Sequence, residues 1–281
     1  MESGAVDTEH VRAYRAVTQI DRWVVRSTGN LGLVSDRIAT QTPPLQPVDE
    51  SWAVALAVVA HPDDLEYGSA AAIARWTAQG KRIVYCLATS GEAGIDSITP
   101  EQCGPLREQE ERAGAALVGV EVVEFLGHPD GMVEYGLPLR RDIARAVRRH
   151  RPDIVITGNY HDSWGPGTAN QADHIAVGRA VLDGIRDAGN RWVFRELLDE
   201  GLEPHKVTAL LVGGVPNASH GVDVTDTFDL GVASLEAHAE YLRGLDNHAM
   251  ADPREFLEAF ARQAGARMDC RYATSFDVIS T

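Results

Sequence analysis

The sequence predicts a doubly wound α/β fold: a mostly parallel, Rossmann-like sheet with helices on both faces. Three observations carry that reading. Several short runs are apolar throughout, as strands covered on both faces must be. Segments of helical period separate them. The composition is that of an ordinary globular chain, 281 residues with 44% hydrophobic and 24% charged.

The elements follow in order. Residues 8–27 place Val11, Tyr14, Val17, Ile20 and Val24 at spacings of three and four, as a helix would. Pro43, Pro44 and Pro47 then exclude both a helix interior and a central strand, so this stretch reads as a linker or surface strap. Residues 1–50 thus form a helical extension with a proline-rich linker, and residues 51–281 form the main domain. Residues 1–50 are read as a cover for that domain or an oligomerisation element, which leaves a homo-oligomer open.

Within the main domain, strands are expected at 54–60, 82–88, 122–126, 154–157 and 207–212. Helices are expected at 70–79, 106–118, 139–150, 175–187, 228–245 and 253–266. Sheets of this kind bind ligands beyond the carboxyl ends of their strands. The sequences there are His61-Pro62-Asp63-Asp64, Thr89-Ser90-Gly91-Glu92, His128-Pro129-Asp130-Gly131 and the glycine-rich stretch 158–167.

Charge and motif remove several function classes. Twenty-six basic against forty-one acidic residues give a net charge of −15, which disfavours a nucleic-acid coat or an anionic membrane surface. The longest apolar run, 52–60, is far short of the roughly 20 residues that span a bilayer. The acidic N-terminus has no signal-peptide pattern, and a cytoplasmic protein is expected. Cys86, Cys103 and Cys270 are too few and too scattered for a disulfide framework or a thiolate metal site. The first strand-to-helix turn lacks the G-x-G-x-x-G of dinucleotide folds and offers carboxylates in its place, so it suits a cation.

His61 and Asp64 stand three residues apart across that turn, and both are good zinc ligands. Asp63, between them, is placed to take a proton from water. The competing reading is a helix N-cap made by Asp63 or Asp64. A catalytic zinc site needs a third protein ligand, and His174 is the best candidate. It opens the helix after the fourth strand, with Asp173 beside it either to orient an imidazole or to cap the helix. Trp164, in the preceding loop, suits stacking on a ring of a bound ligand or anchoring the loop.

Ala60-His61-Pro62-Asp63-Asp64 resembles the A-H-P-D-D signature of the LmbE / PIG-L family of zinc-dependent N-acetylglucosamine deacetylases. Thr89–Glu92, the Arg107-x-x-Glu110…Gly119 spacing, residues 125–131, residues 151–155, Asp173-His174 and Ala237-His238 follow in that family's order. The resemblance implies Zn²⁺, one per chain with Fe²⁺ as an alternative, held by His61, Asp64 and His174. It implies Asp63 as the base and then the acid, and Arg107 and Asp130 as contacts to substrate. It also implies removal of acetyl from an amino sugar on a small molecule or glycoconjugate. One departure matters. Gln171 stands where many members have a histidine, and glutamine cannot carry a proton. Gln171 or His238 is therefore expected to assist catalysis, with Tyr160, His161 and His220 as other candidates. An amidase acting on a thiol-sugar conjugate and a non-catalytic sugar- or metal-binding protein are the alternatives.

Overall fold

In a computed structural model of the chain, residues 43–245 and 248–281 are described. The helix expected at 8–27 and the first part of the N-terminal extension lie outside them. The elements are β1 (Gln46–Pro47), β2 (Val54–Val59), α1 (Asp64–Gly68), α2 (Ala70–Ala78), β3 (Arg82–Leu87), α3 (Pro100–Leu117), β4 (Val122–Phe125), α4 (Leu137–His150), β5 (Ile154–Thr157), β6 (Ser163–Gly165), β7 (Thr168–Ala169), α5 (Ala172–Ala188), α6 (Glu196–Asp199), β8 (Ala209–Gly213), β9 (His220–Asp223), α7 (Phe228–Glu236), α8 (Ala239–Gly244), α9 (Pro253–Ala266) and β10 (Ala273–Ser280).

The main sheet runs β1-β9-β10-β8-β5-β2-β3-β4. Strands β8, β5, β2, β3 and β4 are mutually parallel, and β10 lies antiparallel to both β8 and β9. The pleat of β2 sorts its side chains between two cores. Leu56 and Val58 enter one, with Ile143, Val177 and Val181. Ala55, Ala57 and Val59 enter the other, with Trp76, Phe228 and Phe276. This two-sided burial is why the strand reads as apolar throughout.

Four departures from the sequence reading have physical causes. The segment taken as a linker outside the domain contributes β1, which pairs with β9, and buries Leu45 and Val48. Proline fits there because β1 is an edge strand. Helix α3 begins six residues before Leu106 and runs through Pro105. Its first turn is held from outside, where the Cys103 thiol donates to the carbonyl oxygen of Gly91. The helix expected at 228–245 is broken at Ala237–His238, where the fully buried His238 turns inward against Gly114 of α3. The N–H of Glu240 then donates to Glu110 at 2.6 Å, which caps the second piece. Strands β9 and β10 were not expected at all.

Candidate metal centre

The parallel strands β2, β3, β4 and β5 deliver their following loops to one edge of the sheet, and the candidate residues meet there. After β2 the chain turns through Asp63 in a left-handed conformation, φ 85° and ψ −20°. That geometry is strained for a residue with a side chain. The Asp63 carboxylate makes no capping hydrogen bond to α1, so the N-cap reading of the aspartate pair does not hold for it. Asp64 Oδ2 accepts the backbone N–H groups of Ala60 and His61, which directs Oδ1 outward.

His61, Asp64 and His174 come together as expected. His61 Nδ1 and His174 Nε2 are 3.2 Å apart, and His174 Nε2 lies 3.0 Å from Asp64 Oδ1. His61 Nδ1 lies 3.7 Å from Asp64 Oδ2. All three are candidate ligands by their donor atoms.

What faces away from this point decides which ring nitrogens are free. His61 Nε2 is 3.1 Å from Asp130 Oδ1 and 3.3 Å from Asp173 Oδ2. Carboxylates only accept, so Nε2 carries the hydrogen and Nδ1 keeps its lone pair. Asp173 is itself fixed by the N–H groups of Gly131 and Val133. The amide of Asn170 donates from Nδ2 to the carbonyls of Asn159 and His161. That orients its Oδ1 toward His174 Nδ1 at 2.9 Å, so His174 Nε2 is the free nitrogen. Both imidazoles therefore present lone pairs to one point, beside a carboxylate oxygen. A hydrogen-bond acceptor behind each ligating histidine is the usual arrangement around a protein-bound metal. The donor set thus fits a divalent transition metal.

The charges agree. Burial disfavours a charged His61, yet its contacts with Asp130, Asp173 and Asp64 together hold it well above the ordinary histidine range. Burial opposes ionisation of Asp64 too, but the attraction of His174 and His61 holds it well below the usual carboxylate range. The cluster demands positive charge at its centre, whether from protons or from a metal ion.

Asp63 sits beside the cluster, 6% exposed. Burial pushes its carboxyl up to about 6, against the pull of Arg107. Two residues of α3, one turn apart, hold it. Arg107 donates to Asp63 Oδ2 at 2.8 Å and to the Pro62 carbonyl. Glu111 accepts the Asp63 N–H at 3.0 Å. Among the described residues Asp63 Oδ1 has no hydrogen-bond partner.

The remaining expected residues divide. Trp164, on the β6–β7 hairpin, stands edge-on to His174 with centroids 5.6 Å apart and is 39% exposed, at the rim. Gln171 is exposed at the start of α5. Arg107 is 2% exposed and stacked on Tyr241, and it donates to Asp63 and the Pro62 carbonyl rather than outward. Asp130 is 8% exposed, with its two oxygens engaged by His61 and the Ala93 N–H. Both were expected as substrate contacts, and the structure uses them to orient Asp63 and His61. His238, expected to assist catalysis, is corrected: it is fully buried against Glu66 and Glu111 and does not open on the metal centre. Tyr160 packs against the core, and His220 lies on β9, separated from β2 by β10, β8 and β5. Sequence reasoning missed Asn170 and Glu111. Asn170, four residues before His174 at a helix start, had a readable spacing, whereas Glu111 had no signal.

Comparison with known proteins finds relatives in sequence and in fold. The family described as PIG-L, GlcNAc-PI de-N-acetylase, matches residues 56–185. The chain is 27% identical over 185 residues to the diacetylchitobiose deacetylase of Thermococcus kodakarensis, covering 65% of this chain and 68% of that protein. It is 30% identical over 236 residues to the 1D-myo-inositol 2-acetamido-2-deoxy-alpha-D-glucopyranoside deacetylase of Acidothermus cellulolyticus, covering 66% of this chain and 78% of that protein. In fold it is similar to the N,N'-diacetylchitobiose deacetylase of Pyrococcus horikoshii. The TM-score there is 0.74 at 22% identity, covering 82% of this chain and 85% of that one.

Proposed function

The chain belongs to the PIG-L family, and from that premise we propose that it is a metal-dependent hydrolase that removes acetyl from an N-acetylated amino sugar. The reading is supported by two relatives that are named as deacetylases of N-acetylated amino sugars. The single observation that carries it in this chain is the pair of imidazoles whose outward nitrogens are each committed to an acceptor. Their inward nitrogens and Asp64 are left to hold one ion.

His61, Asp64 and His174 hold that ion, for which zinc is the first candidate and Fe²⁺ the second. When bound, it supplies Lewis acidity toward the acetamide carbonyl and lowers the pKa of water to about 7. The protein does the rest. Asp63 takes a proton from the attacking water on Oδ1, the oxygen that Arg107 leaves free. It returns that proton to the departing nitrogen, so that water and amide become acetate and amine. Arg107 and Glu111 hold Asp63 from its side chain and its backbone, which fixes the line of proton transfer. Gln171 is proposed as a neutral hydrogen-bond donor to substrate at the exposed rim, with Trp164 as a stacking face for a sugar ring.

Two measurements on the purified chain test the reading together. One is metal content, and the other is acetate release from N-acetylglucosamine conjugates, both with and without chelator. Release that stops on chelation and returns with zinc or Fe²⁺ is expected. Undiminished release from the chelated protein would overturn the metal's part. A metal-loaded protein inactive on every N-acetylated amino sugar conjugate tried would overturn the substrate class.

A further inference from the structure

We infer that a second divalent transition-metal ion is bound in the closed interior between α1, α3 and the α7–α8 junction, held by Glu66, Glu111 and the imidazole of His238. This inference does not depend on the reading of the catalytic centre, although Glu111 serves both places.

All three side chains are buried, at 0% and 1% exposure. Among the described residues they nevertheless leave Glu66 Oε2, Glu111 Oε1 and both nitrogens of His238 without a hydrogen-bond partner, and Tyr85 Oη is orphaned as well. Buried polar atoms left unpaired in this number signal a missing water or ion. The distances distinguish the two. His238 Nε2 is 3.8 Å from Glu66 Oε2 and 3.7 Å from Glu111 Oε2. Those separations are too long for direct hydrogen bonds. They are too short for a tetrahedral water, whose partners at about 2.8 Å stand roughly 4.5 Å apart. Ligands at about 2.1 Å from one tetrahedral ion stand roughly 3.4 Å apart, nearer than the water value to the separations found.

The charge balance points the same way. Two carboxylates face one imidazole, and the nearby guanidinium of Arg107 is committed to Asp63. A divalent ion cancels both carboxylates where a water would cancel neither. A nitrogen donor beside two carboxylates favours zinc, iron or manganese over magnesium or calcium. Because the site is closed, the ion enters as the chain folds and is retained by the native protein. Glu111 then carries two tasks, since the oxygen nearest His238 also accepts the Asp63 N–H. The buried ion would anchor the left-handed turn that presents the base.

The experiment counts metal without altering the buried cluster. The intact chain is produced in zinc-supplemented medium, assayed for all transition metals, and crystallised for anomalous scattering at the zinc edge. The wild-type protein is expected to carry two equivalents and to show two peaks, one among His61, Asp64 and His174 and one among Glu66, Glu111 and His238. The variant His174→Ala is expected to lose the first ion and keep the second. Chelator is expected to remove one equivalent from native protein, and the other only on unfolding. A wild-type protein with density but no anomalous signal between Glu66, Glu111 and His238 would overturn the inference. So would a folded, metal-free His174→Ala variant. A peak at the buried cluster with none at the first centre would leave this inference standing and overturn the catalytic reading instead.

Discussion

Asp63 differs from its neighbours in having an oxygen that no group among the described residues uses, in a carboxyl that burial lifts to about 6. If it is the base, Asp63→Asn should lower kcat by about 10²- to 10⁴-fold, the usual contribution of a positioned acid–base group. KM and metal content should be unchanged, because asparagine keeps the shape and Asp63 is not a ligand. Steady-state kinetics beside a metal assay check this, and near-normal turnover would remove Asp63 from the mechanism. The residues behind the ligands make a second prediction. Asn170→Ala and Asp130→Asn should each weaken metal binding by about 10- to 100-fold, as loss of a group that orients a ligating histidine does. Competition with a chelator measures it, and unchanged affinity would mean the imidazoles hold their orientation alone. His61, Asp64 and His174 were legible in the sequence because each stands where a strand or loop gives way to a helix. Asp130 and Asn170 were not legible in these parts. Their role depends on which ring nitrogen faces which loop, and that exists only once β2, β4 and β5 lie side by side.

Helix α3 shows how much of the site is set by one element's register. Its spacing of four puts Arg107 and Glu111 on the face that meets the β2–α1 turn, and Gly114 three residues on meets α7. A Cβ at Gly114 would stand 2.8 Å from the backbone oxygen of Ser234 and 3.3 Å from His238 Nε2. Gly114→Ala should therefore destabilise the protein by about 1 to 3 kcal/mol, since overpacking against backbone forces the helices apart. A lower denaturant midpoint with unchanged slope is the expected reading, and an unchanged midpoint would show that α7 yields freely. The parallel strands were legible because burial on both faces makes them uniformly apolar. Strand β10, Ala-Thr-Ser-Phe-Asp-Val-Ile-Ser, was not, since its polar residues dilute the signal. Its antiparallel place between β8 and β9 is a fact of topology that local pattern does not encode.

For the whole molecule, the question is where the independently folding unit begins. Residues from Thr42 onward form one compact unit, which contains the sheet, both cores and the candidate metal centre. The boundary expected at residue 51 would cut into it. Gln46 and Val48 donate backbone N–H groups to Ser219 and Gly221. Leu45 and Val48 are 5% and 8% exposed. Glu50 accepts from Arg75, the indole of Trp76 and Gln79, and its backbone oxygen accepts from Lys81. Two chains that differ by nine residues should therefore behave differently. The chain of residues 42–281 is expected to unfold cooperatively and to bind metal as the full chain does. The chain of residues 51–281 loses two buried aliphatic side chains, worth together about 3 to 6 kcal/mol. It also leaves the Trp76 indole N–H without its acceptor. That loss is a large share of the roughly 5 to 15 kcal/mol that holds a domain together. The shorter chain is thus expected to melt far lower or to aggregate. Thermal unfolding of both chains, with metal content measured on each, decides it. Equal stability of the two would mean that β1 lies on the sheet without supporting it, and failure of the 42–281 chain would place part of the folding unit upstream.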